Sequence, residues 1–132
     1  MTTMRIVLGF VLAAFLIVSS FMHSVLGWRS LSGQLRGAHA PEELVAHLAL
    51  GWHLCSAAMF TFGVILIFLY AKFLRDRATP LWVAQSIALF YVGYGIWAQV
   101  QSHNSFFAVM FIVPGLLLLF AASSGVTQSF NQ

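Results

Sequence analysis

Five histidines hold most of the chemical potential of this chain: His23, His39, His47, His53 and His103. Neutral imidazole ligates haem iron, copper and zinc, and it exchanges protons near neutral pH. Acids are scarce. Glu42, Glu43 and Asp76 are the whole set. A carboxylate-rich di-iron site cannot be assembled from them within one chain, and none lies in an apolar stretch where it would serve a carboxylate proton or cation relay. The one cysteine, Cys55, excludes an intrachain disulfide and reads as a small apolar filler. No HExxH zinc-protease motif, GxSxG elbow, P-loop or dinucleotide fingerprint is present.

The elements that position these histidines are set by composition. Of 132 residues, 61% are hydrophobic and 7% charged, against about 25% charged in a soluble domain. Several apolar stretches approach the roughly 20 residues needed to cross a bilayer. These features predict an all-α, integral membrane four-helix bundle in a single domain over 1–132, with helices at about 5–26, 42–70, 81–100 and 105–122. The apolar run after Arg5 exceeds the 7–15 residues of a signal-peptide core, so it reads as an uncleaved first span. Residues 27–40 read as a loop with a short interfacial turn near Trp28. Pro41, Glu42 and Glu43 mark a helix start, because proline fits the first turn and acids favour the positive end of the helix dipole. Pro114 and Gly115 predict a kink in the last helix. Gly93 and Gly95, with Ala88 and Ala98, give the third helix small residues on more than one side. The tail 123–132 reads as polar and frayed.

The net charge is +3. The cations cluster at helix ends and form no stripe with interleaved aromatics, so nucleic acid is not an expected partner. Arg5, Lys72, Arg75 and Arg77 fall on one side of a four-span arrangement, Arg29 and Arg36 on the other. The positive-inside rule then places both termini in the cytoplasm of a cell membrane, a bacterial inner membrane in this reading. All five histidines fall on or toward the opposite, outer half.

Helical rise sharpens the candidates. His23 is about 7 Å and His53 about 9 Å below the outer interface, with Tyr94 in the same layer. Ser19, Ser20 and Gly27 flank His23; Ala49, Ser56 and Ala57 flank His53. These small residues leave room beside each ring. His23, His53 and Tyr94 are therefore the expected cofactor-binding residues. His47 joins His23 and His53 as an expected metal ligand, although it is about 9 Å from His53 along the helix axis.

The segment His23-Ser24-Val25-Leu26-Gly27-Trp28-Arg29 has the form His-x-x-x-Gly-x-Arg. It resembles the haem-ligand segment of the cytochrome b membrane subunit of succinate dehydrogenase, and the resemblance implies that His23 is an axial ligand. The likeness is confined to these residues. That family usually has histidine after the arginine, where this chain has Ser30, and is usually built of three spans.

The expected function is a small membrane redox or metal-binding protein, with haem b as first choice for electron transport and copper or zinc second. A cofactor-free accessory subunit of a larger membrane complex is the alternative from a different class, and a quinone- or lipid-binding protein the third reading. Beyond the lipid bilayer, a quinone, a second copy of the chain or a larger complex are the partners these readings imply.

Overall fold

The computed structural model describes residues 3–123. It is all-α, with four helical rods. The first is continuous over 35 residues from Thr3 to Gly37: α1 (Thr3–Met22), a π-helical turn (His23–Gly27) and α2 (Trp28–Gly37). The second is α3 (Glu42–Arg75), the third α4 (Trp82–Ser102), and the fourth a second π-helical turn (Ala108–Ile112) leading into α5 (Val113–Ala122). Among the described residues, the first two rods are long and apolar enough to cross a membrane. The last is apolar but shorter, spanning Ala108–Ala122.

Two boundaries differ from the sequence reading. The expected loop after residue 26 is helical through Gly37, because the π turn carries the chain forward and Ser, Gln, Leu and Arg sustain a helix despite Gly33. The chain reverses only at residues 38–41, where His39 takes a left-handed conformation at φ 60°. The second rod continues to Arg75, where Lys72 and Arg75 favour the negative end of the helix dipole. The polar tail expected over 123–132 falls, apart from Ser123, outside the described residues.

Contacts divide the described residues into two compact units: those up to residue 12 with those from 65 onward, and residues 13–64. In the first, α4 and α5 run antiparallel. Gly115 lies so close to α4 that a Cβ there would meet Val92 Cγ2 at 2.7 Å and the Ala88 carbonyl oxygen at 2.9 Å. Gln85 Nε2 donates to the Ala122 carbonyl at 3.2 Å. Of the small residues on α4, Gly95, Ala88 and Ala98 are buried, whereas Gly93 faces open space. The expected irregularity at Pro114 takes the form of the π turn before it. Proline lacks an N–H and its ring clashes with the carbonyl four residues back, and a wider turn accommodates both. His103 closes α4 in the left-handed region at φ 51°, so both turn histidines have a backbone role.

The second unit is a helical hairpin made of α1 from Ala13 onward, its π turn, α2 and the first part of α3. Gly63 of α3 sets its closest approach: a Cβ there would stand 2.6 Å from Ile17 Cγ1 and 2.9 Å from the Ala13 carbonyl oxygen. This tight crossing fixes the register that brings His23 and His53 to the same level.

Candidate functional site

At that level the two helices of the hairpin face each other as two residue pairs. His23 lies flat on Trp52, with ring centroids 4.1 Å apart and an interplanar angle of 12°. Ser24 Oγ lies 2.9 Å from His53 Nδ1. Trp28, one residue past the π turn, tilts over both Trp52 and His53 at 6.3 and 5.7 Å.

The π turn makes this arrangement possible. Its extra residue per turn rotates the downstream side chains away from the face a regular helix would present, and π turns recur at functional sites. The carbonyl of His23 accepts the Trp28 backbone N–H. The Trp52 indole adds a second bond, Nε1 donating to the same oxygen at 2.7 Å. Gly27 leaves room for that indole: a Cβ at residue 27 would come within 2.9 Å of Trp52 Cζ2. A tryptophan inside an apolar helix needs a partner for its N–H, and it finds one on the neighbouring backbone.

Below the Ser24–His53 pair a groove of about 440 Å³ opens to the outside of the hairpin. Ser20 and Phe21 line it from α1 and Ser24 from the π turn; His53, Ser56, Ala57, Phe60 and Thr61 line it from α3. Phe21 and Phe60 meet edge to face at 5.8 Å. Ser20 and Ser56 line the groove while being only 3% and 5% exposed. The surface is mainly apolar, with one imidazole and four hydroxyls placed along it.

No protein-family model, curated protein or solved structure matches this chain.

The structure brings His23 and His53 onto facing helices but gives them different surroundings. A haem held by two histidines needs both imidazoles to open on one space from opposite sides of the iron. Here His53 lines the groove, whereas His23 is stacked on Trp52 and does not. Among the described residues no group of three or more His, Cys, Asp or Glu is placed to hold a metal ion. His47 is exposed on α3, about 9 Å along the axis from His53. The trio His23, His47 and His53 is thus not gathered into a ligand set. Tyr94 belongs to the other compact unit, where its ring packs on Phe111 at 5.0 Å and on Trp97 at 5.7 Å. The Tyr91 side chain is buried there, and its hydroxyl has no hydrogen-bond partner among the described residues. Cys55 is a free, exposed thiol.

The sequence reading does not single out Ser24, Trp52 or Trp28 as a ring partner, nor Phe21, Phe60 and Thr61 of the groove. Ser24 does carry a positional signal, since it stands four residues after Ser20 on the stripe that also holds Ile17, the face turned to α3. Trp52 did carry a signal, an indole well inside an apolar stretch and away from the interfacial position tryptophan favours.

Proposed function

We propose that the protein is a multi-pass membrane protein, with four spans and both termini cytoplasmic, that binds a lipid-soluble molecule of the quinone class in the Ser24–His53 groove. The single observation that carries this reading is the 2.9 Å Ser24–His53 pair on the wall of a mainly apolar groove open to the outside of the hairpin. Small-molecule sites are mostly apolar with a few placed polar groups that orient the ligand. An imidazole held by a hydroxyl at one nitrogen offers the other to a carbonyl or hydroxyl, and an ionisable group within a membrane is a functional candidate by default. The aromatic edges of Phe21 and Phe60 suit a planar ring, and the open side admits a ligand directly from lipid.

Titrating the detergent-purified protein with a decyl-tailed benzoquinone tests this. Trp28 and Trp52 flank the pair, so binding should quench their fluorescence saturably, and His53→Ala should weaken the effect about tenfold. Quenching that never saturates, or is indifferent to His53→Ala, defeats the proposal.

A b-type haem between His23 and His53 is the second reading, favoured by the presence of these imidazoles on facing helices. It requires His23 to leave Trp52 and turn into the groove. A Soret band in protein from haem-supplied cells, lost in both His23→Ala and His53→Ala, would establish it over the quinone site.

A further inference from the structure

The hydroxyls of the groove have a common feature. Ser20 Oγ donates to the Ile17 carbonyl at 2.6 Å, Ser56 Oγ to the Trp52 carbonyl at 3.1 Å, and Thr61 Oγ1 to the Ala57 carbonyl at 2.9 Å. A hydroxyl has one proton and two lone pairs. With each proton committed to its own helix, these groove-lining hydroxyls have only acceptor capacity left to offer a ligand. The fourth hydroxyl, Ser24, shares a proton with His53. When Ser24 donates to Nδ1, His53 presents Nε2–H as a donor. When Nδ1–H donates to Ser24, Nε2 becomes an acceptor. The polar lining therefore consists of three fixed acceptors and one group that can serve in either sense.

We infer that this groove selects a ligand that donates hydrogen bonds, the quinol rather than the quinone. The inference rests on the quinone-class reading above and specifies its redox form. A quinone carries only acceptors at its ring oxygens, so it pairs with His53 alone and leaves the serine and threonine oxygens facing acceptors. A quinol brings two O–H donors. One can pair with His53 as acceptor and the other with a hydroxyl oxygen of the acceptor row. In an apolar surrounding an acceptor facing an acceptor is penalised, because no water is at hand to separate them.

Calorimetric titration of the full-length protein in detergent, under anaerobic conditions, tests the inference with three probes: decyl-tailed benzoquinol, its dimethyl ether and the parent benzoquinone. The ether keeps the shape of the quinol and removes both donors. The quinol should bind about tenfold tighter than either of the others, the gain of one to two neutral hydrogen bonds. Ser56→Ala should weaken the quinol several-fold and leave the ether unchanged, in protein whose helical circular dichroism matches wild type. Equal affinity for all three probes overturns the donor selectivity while leaving the groove a quinone-class site. Absence of binding by all three overturns the groove reading and this inference together.

Discussion

Trp52 of α3 reaches across the hairpin and donates its indole N–H to the carbonyl of His23 at 2.7 Å, while its ring carries the His23 imidazole at 4.1 Å. One side chain thus fixes both the backbone of the π turn and the orientation of a histidine. Trp52→Phe keeps a ring for stacking and removes the donor. It should cost about 1 kcal/mol, the worth of one neutral hydrogen bond, seen as a lower melting temperature in detergent. An unchanged melting temperature would show that the Trp28 N–H alone satisfies that carbonyl.

Space for the indole depends on residue 27. Gly27→Ala places a methyl within 2.9 Å of Trp52 Cζ2, a ring atom that must shift with its whole side chain. Overpacking of this kind costs about 1–3 kcal/mol. Gly93→Ala is the matched control. Its Cβ meets nothing within 4 Å, and alanine in a helix is favoured over glycine by about 0.5–1 kcal/mol. The expected order of melting temperatures is Gly93→Ala at or above wild type, with Gly27→Ala clearly below. The reverse order would contradict the packing described here.

The other compact unit provides a test of opposite sign. Tyr70 and Tyr91 are 0% and 4% exposed, and neither hydroxyl has a hydrogen-bond partner among the described residues. Removing a buried, unpartnered hydroxyl relieves its desolvation cost. Tyr91→Phe should therefore leave thermal stability unchanged or raise it by about 1 kcal/mol. A marked loss of stability would mean that this hydroxyl has a partner.

Much of this architecture was legible in the sequence, and the exceptions have specific causes. The helices were marked by apolar runs broken at Pro41 and Pro80, because backbone groups in an apolar setting must be satisfied within a helix. The π turn at His23–Gly27 was not legible. No proline forces it, as Pro114 does for the second one; it depends on the Trp52 bond and the space over Gly27, which are tertiary. For the same reason the sequence singled out His23 and His53 on facing helices but not the division between them, one ring packed on an indole and the other on a groove wall. His39 and His103 were legible as turn residues only by position. Their left-handed backbones, a region where histidine is enriched among non-glycine residues, account for them without a ligand.

Orientation can be checked independently of the site. Reporter fusions after Leu35 and after Asp76 should report opposite sides of the membrane, with Asp76 cytoplasmic beside Lys72, Arg75 and Arg77. Both fusions reporting one side would contradict the four-span arrangement.

Under the proposed function, a lipid-soluble ligand binds in the groove below Ser24 and His53. Photoaffinity labelling measures this most directly. Membranes containing the full-length protein would be irradiated with an azido-benzoquinone, and the modified residues mapped by peptide mass spectrometry. Label should concentrate on residues 20–24 of the first rod and 53–61 of α3 and be suppressed by excess decyl-tailed benzoquinone. Label spread evenly over the lipid-facing residues of all four helices, or unaffected by that competitor, would contradict binding there.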